Sequence, residues 1–332
     1  MRRRRSRAGE RLVATACALA ALAAPPRAAS AQGDLAKEGA LFLLLPVGAR
    51  SVGMGQAVVA GEPGSEGLWE NPASLARLTR PELALNHSES LTGKLDALVL
   101  VVPRGRAGVF TVAAYYLNYG AQDNTDQFGN VIGSSNPKDV MFAGSYAATF
   151  GPRVRAGLTA KFFQDRLDCG GDCTGIPSHA VKGFAYDFGV QVATDTAGRL
   201  TLGASVQSLG QALQINDVAQ ADPLPSRLHF GAQYVMPGVD RVVAGGELRL
   251  ATEVVGDLGL EQRSVRVGGE FVYRRQFFLR VGFASGSDAS AGASLGLGYE
   301  GRAVSFDFAR STGGLSADAG QPPTYLTFRI RF

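Results

Sequence analysis

From residue 82 onward, large apolar side chains fall on every second position. The last seven residues show it most plainly. Leu326, Phe328, Ile330 and Phe332 share one parity, and Thr327, Arg329 and Arg331 share the other. A strand turns successive side chains to opposite faces, so this segment predicts a strand with one oily and one polar face. The same reading predicts fourteen strands, at about 82–88, 94–103, 107–119, 139–150, 153–166, 183–194, 199–209, 227–236, 241–253, 263–273, 276–285, 291–300, 302–311 and 323–332. In 183–194, Phe184, Tyr186, Phe188, Val190 and Val192 oppose Asp187 and Gln191. In 263–273, Val265, Val267, Phe271 and Tyr273 oppose Arg266 and Glu270, and in 302–311, Val304, Phe306 and Phe308 oppose Ser305 and Asp307.

The connections alternate too. Arg104 to Arg106, Gly151-Pro152, Asp195 to Gly198, Pro237 to Asp240, Arg274-Arg275 and Glu300-Gly301 are short, while 120–138, 167–182, 210–226 and 312–322 are long and 254–262 is of medium length; on the expected outer side only 89–93 and 286–290 are short. Short turns at one end and longer loops at the other, with an even strand number, are the pattern of an outer-membrane barrel. In water, an aromatic strand ending flush at Phe332 would invite edge-to-edge association. With its apolar face to lipid, the strand closes a barrel, and Phe328, Ile330 and Phe332 are its C-terminal signature. A one-residue slip would turn Arg329 and Arg331 into lipid, so the register is specified. The expected fold is therefore all-β: a 14-stranded antiparallel transmembrane β-barrel over residues 82–332.

The opposite parity then lines the lumen. It carries Arg155, Lys161, Asp165, Asp187, Glu247, Arg249, Arg266, Glu270, Arg280, Asp307 and Arg329. These suit cross-strand ion pairs that hold the wall and contact a plug, or the walls of a polar conduit. Tyr115, Tyr116, Tyr119, Tyr273, Phe277, Phe278 and Tyr325 fit interfacial girdles, and Phe163 and Phe278 are the two best candidates for inward aromatics.

Composition agrees with a barrel. Glycine is 43 of 332 residues, about 13% against a usual ~7%, and it occurs inside the alternating segments. After the N-terminus no apolar run approaches the ~18 residues a spanning helix needs. Residues 1–31 read as a signal peptide, with an Arg-rich start, an apolar stretch from Leu12 to Ala24 and cleavage after Ala31. That segment holds seven of the 33 Lys and Arg and one of the 29 Asp and Glu, leaving 26 basic against 28 acidic residues. The pI near 9.0 thus belongs to the leader, and nothing basic remains to suggest nucleic acid. The expected location is the outer membrane of a Gram-negative-type envelope, with lipid as the constant partner.

Residues 32–81 do not alternate, and they predict a compact hatch ahead of the barrel. Asn71 is a good N-cap and Pro72 a good first helical residue, so a short helix is expected from there to about Arg77. Two clusters, Gly48-Ala49-Arg50-Ser51-Val52-Gly53-Met54-Gly55-Gln56-Ala57 and Trp69-Glu70-Asn71-Pro72-Ala73-Ser74-Leu75, resemble the opening of the PorV/PorQ family. These are outer-membrane proteins related to the long-chain fatty acid transporters, with a FadL-like fold. The resemblance implies a fourteen-stranded barrel with an N-terminal hatch. It also implies a docking or accessory role in protein export of the type IX kind, with secretion components or exported cargo as partners. The alternative it implies is passive passage of small hydrophobic compounds through a lateral gap or kinked strand beside an apolar pocket.

Other chemistry is sparse, and neither an enzyme nor a cofactor is expected. Cys169 and Cys173 flank Gly170-Gly171-Asp172 in a long loop, where an oxidising compartment favours a disulfide. Gly292 to Gly296 fits a nucleophile elbow and Gly296 to Gly301 a dinucleotide fingerprint, but both lie in a strand without the helix such sites require. Ser178, His179 and Asp172 would have to meet at the rim to make an enzyme. Asp123 to Asp126 lacks the full ligand spacing of a Ca²⁺ loop, and no metal site is expected.

Overall fold

A computed structural model describes residues 38–172, 179–194, 197–213, 221–260, 263–286, 291–312 and 320–332. The signal segment 1–31 and the residues Cys173 and Ser178 lie outside these. So does the side chain of His179, which takes the rim grouping out of reach. Cys169 is disulfide-bonded, and its expected partner Cys173 is not among the described residues.

Fifteen strands form one antiparallel sheet. They are β1 (Glu82–Ser90), β2 (Gly93–Pro103), β3 (Val109–Asn118), β4 (Gln122–Thr125), β5 (Val131–Phe150), β6 (Val154–Gly171), β7 (His179–Ala193), β8 (Leu200–Gly210), β9 (Arg227–Met236), β10 (Gly246–Gly256), β11 (Arg263–Tyr273), β12 (Phe277–Ala284), β13 (Gly292–Glu300), β14 (Val304–Ser311) and β15 (Thr324–Arg331). Each wall strand pairs with its chain neighbour. β1 pairs with β15, from Glu82 opposite Arg331 to Glu89 opposite Thr324, and β3 pairs with β5. The result is a closed wall of fourteen strands, with β4 as a short addition on the outer part of β5.

The region 120–138, expected as a loop, is instead largely strand. β5 runs for 20 residues and β6 for 18, well beyond the ~9–11 a tilted strand needs to cross the bilayer. Ser, Asn and Gly in Ile132-Gly133-Ser134-Ser135-Asn136 read as turn chemistry, yet the partner strand fixes their backbone through residue pairs such as Ser135–Cys169. Cross-strand pairing overrides local preference here. At the other end, Val239–Val242 form a helical turn, so β10 starts at Gly246 rather than near residue 241. Asp126 turns its carboxylate onto its own loop, accepting from Phe128 N, Asn130 N and Asn130 Nδ2 at 2.9–3.0 Å.

The outward parity is an apolar belt. Leu85, Phe110, Phe142, Phe184, Leu279, Val281, Leu295, Leu297, Phe306, Phe328 and Ile330 are all exposed. So large a continuous apolar exterior is tolerable only against hydrocarbon. Among the described residues no helix is long and apolar enough to cross a membrane; the strands do the crossing. On the inward parity, Lys161, Asp187, Arg266, Glu270, Arg280, Asp307 and Arg329 are buried, while Arg155, Glu247 and Arg249 are half-buried. Tyr115 and Tyr325, expected in the girdles, instead face inward and are buried.

Candidate functional site in the barrel interior

Residues 38–81 pack on the inner face of the wall. Helical turns at Ala49–Gly53 and Gly67–Glu70 and a 3₁₀ helix at Pro72–Arg77 break the segment into short pieces. Asn71 caps the last of these, its Oδ1 accepting from Ala73 N at 3.0 Å, with Pro72 at the first helical position. This is the start the sequence predicts, wound more tightly than an α-helix. Glycines in the wall mark where the segment touches it. A methyl group at Gly296 would collide with Gly53, at Gly282 with Met54 and Gly55, at Gly189 with Asn71, and at Gly203 with Val59 and Ala60. Gly55 itself has φ +61 and abuts Phe283 N, so this turn requires a residue without Cβ. Strand glycines that weaken a sheet are thus explained by close backbone approach.

The interior has two chemically distinct halves. Beside β1–β7 an apolar cluster fills it, with the buried Lys161, Asp187 and Asp139 at its edge. Phe42, Leu68, Trp69 and Leu75 of the inner segment meet Ala97, Val99, Ala113, Tyr115, Met141 and Phe163 of the wall. Phe42 lies 5.5 Å from Phe163 and 6.0 Å from Tyr115, and Trp69 lies 6.1 Å from Tyr115, between ring centroids. Trp69 Nε1 and the Tyr115 hydroxyl are buried there without a hydrogen-bond partner.

Beside β9–β15 the interior is a relay of ion pairs. Glu270 accepts from Arg280 Nε at 2.6 Å, Arg249 Nη1 at 3.0 Å and Arg50 Nη2 at 3.0 Å. Arg280 Nη1 donates to Asp307 at 2.5 Å, and Asp307 also pairs with Arg329. Arg329 in turn reaches Glu66 at 3.7 Å. Glu66 accepts from Ser51 N and Ser51 Oγ, both at 2.9 Å, and from Thr327 Oγ1 at 3.2 Å. A second anchor is Glu253, whose Oε2 accepts from Val58 N at 2.9 Å and Val59 N at 2.8 Å, while its Oε1 lies 2.7 Å from His229 Nδ1. Elsewhere Lys161 pairs with Asp187 at 2.7 Å. These carboxylates join wall to inner segment as well as strand to strand. Sequence periodicity assigns their parity, but it carries no signal that Glu66, Glu82 and Glu253 hold backbone amides and partner cations across the lumen.

Two shifted groups belong to the inner segment. Burial, reinforced by the charge of Glu253, pushes the Glu70 carboxyl up to about 8. Burial, then the nearby Arg155 and Arg249 charges, brings the Arg77 guanidinium down to about 10.

The wall is also locally irregular. Between Tyr186 and Phe188 of β7 the register with β8 shifts by one residue. Ser208 there has φ 57 and donates its N–H to Asp187 Oδ1 at 2.8 Å. This is a β-bulge, next to the apolar half where Phe163, Ala185 and Leu213 pack.

A closed fourteen-stranded wall, an apolar exterior and a folded segment inside define an outer-membrane β-barrel. No family model matches the chain, and no curated protein matches it. Solved structures do. The toluene transporter TbuX of Ralstonia pickettii superposes with a TM-score of 0.55 at 16% identity, covering 86% of this chain and 98% of that one. The monoaromatic hydrocarbon channel CymD gives 0.58 at 14%, covering 87% and 98%. A Pseudomonas aeruginosa FadL homologue gives 0.51 at 12%, covering 86% and 98%. At these identities the likeness is one of fold, and the fold is that of FadL-like barrels.

Proposed function

We propose that this barrel conducts small hydrophobic compounds across the outer membrane without chemical change. The observation that carries the reading is the apolar half of the lumen, with Trp69, Tyr115, Phe42 and Phe163 at its centre, inside a wall of the same fold as a toluene transporter and a monoaromatic hydrocarbon channel. The β-bulge at Asp187–Ser208 supports it, because it places a weakened ladder beside that apolar surface. A docking barrel for protein export, which the PorV/PorQ resemblance implies, loses its main support. Gly53, Met54, Gly55, Asn71 and Pro72 are accounted for by contact with the wall, and the structural neighbours carry names of transporters and channels.

The test is uptake of labelled toluene by cells of a Gram-negative host with and without the barrel. Faster uptake at low external concentration is expected. Equal rates, with the barrel shown to be inserted and heat-modifiable, would refute the reading.

A further inference from the structure

At the end of the barrel that carries the short turns, a cavity of about 480 Å³ opens between the inner segment and the wall. The turns between β11 and β12 and between β13 and β14 lie at this mouth, together with residues 78–80 ahead of β1. Short turns mark the periplasmic end of such barrels. Seven arginines line the cavity against two carboxylates, Glu62 and Glu300. Val272 and Phe278 give it an apolar floor, and the Arg50 and Arg280 guanidinium groups stand 5.4 and 5.0 Å from the Phe278 ring centroid.

The cations outnumber the groups that could neutralise them. Arg50, Arg249 and Arg280 share Glu270, with Arg249 also on Glu247 and Arg280 also on Asp307, which itself serves Arg329. Arg331 takes up both Glu82 and Glu300, and Arg77 takes up Glu62. Arg80, Arg275 and Arg302 are exposed and make no ion pair among the described residues. Arg77 Nε is buried without a partner, and its depressed pKa reflects burial and the like charges of Arg155 and Arg249. Placing so many guanidinium groups around one concavity costs free energy through mutual repulsion. A bound anion relieves that repulsion, and planar guanidinium forks match phosphate oxygens two at a time.

We propose that this mouth binds a phosphate-bearing anion of two or more negative charges from the periplasmic side. A single carboxylate would compete with Glu62 and Glu300 already present, whereas a phosphate group brings more charge and more acceptor oxygens. The site stands apart from the transport reading and survives its failure.

The experiment uses the whole barrel purified in a neutral detergent, with inorganic pyrophosphate titrated calorimetrically and phospholipid phosphorus assayed in the preparation. The variant Arg77→Met/Arg302→Met is compared with a control pair at another short turn, Arg104→Met/Arg106→Met. Saturable pyrophosphate binding that weakens at least about tenfold in the first pair only supports a free phosphate compound as ligand. Retained phospholipid that pyrophosphate displaces, and that the first pair alone loses, supports the same site filled by a lipid headgroup. Absence of both, or equal losses in the two pairs, would overturn the proposal. Heat-modifiability on gels confirms that each variant is folded.

Discussion

The amide of Asn71 sits over Gly189, in the space that a side chain on that wall residue would fill. From there Asn71 Nδ2 donates to Val59 O at 2.7 Å and approaches the wall carbonyls of Val190 and Ala204 at 3.3 and 3.4 Å. One side chain thus ties two turns of the inner segment to each other and to β7 and β8. Replacing Gly189 with Val should displace Asn71 and cost its buried amide these partners, at about 1–3 kcal/mol for a buried polar group left unsatisfied, while Val59 O keeps Gln191 Nε2 at 3.0 Å. Faster proteolysis of the N-terminal segment, with the wall still resistant, is the expected result. Unchanged protection would contradict the contact.

Glu253 should matter more than its place on a barrel strand suggests. It holds the amides of Val58 and Val59 and also meets His229 and, at 3.7 Å, Arg266. Glu253→Ala leaves two buried N–H groups and a cation without their acceptor, a loss on the order of 3–5 kcal/mol. Hydrogen exchange at residues 58–59 should accelerate selectively. Uniform acceleration around the whole wall would show that Glu253 braces strands and does not anchor the segment.

Asp307 links Arg280 to Arg329 at the centre of the relay. Asp307→Ala leaves buried Arg280 with Glu270 alone and buried Arg329 with Glu66 at 3.7 Å, and removing one member of a buried pair costs up to about 3–5 kcal/mol. Replacing all three residues with apolar ones of similar volume should recover much of that loss. The measurement is the unfolding temperature in detergent. A triple variant no better than the single one would argue that the relay is required for the fold.

The Glu70 carboxyl gives a pH dependence of known sign. Its pKa is raised from 4.5 to about 8, so the folded protein keeps this proton after the unfolded chain has lost it. The stabilisation is fully present below about pH 4.5 and falls away as pH rises toward 8. Glu70→Gln should therefore flatten the decline of stability between pH 5 and 8, relative to the native chain. Parallel melting curves for the two proteins would rule out a desolvated Glu70.

Trp69 is the single tryptophan of the chain, and it is buried beside Tyr115 in the apolar half. Its fluorescence therefore reports on the surface to which transport is assigned. Monoaromatic compounds should change the emission in a saturable way, and Phe163→Asp should abolish the response by charging the opposite wall. A response that is linear in concentration would indicate partition into detergent and no site.

Much of this architecture was legible from residue order alone. Parity along each strand separates lipid-facing Phe328 and Ile330 from inward Arg329, because a strand offers side chains only two directions. Asn71-Pro72 announces a helical start through local capping chemistry that needs no tertiary partner. Tyr115 departs from the girdle position its residue type suggests. Alternation gives it an inward parity, but Tyr at a strand end is equally at home at an interface, and only Phe42 and Trp69 packed beside it decide the matter. Much of region 120–138 is strand rather than loop because Ser, Asn and Gly have weak preferences that pairing with β6 overrides.

By itself, then, the order of residues determined a two-faced wall and its strand number, since these depend on periodicity and the cost of charge in lipid. Tertiary structure alone decided that the interior splits into an apolar and a charged half, that strand glycines are landing sites for the inner segment, and that arginines from distant elements gather at one mouth. Those features join residues up to 278 positions apart, as Ala49 and Thr327 are. Such contacts exist only once the ring closes and the segment folds within it.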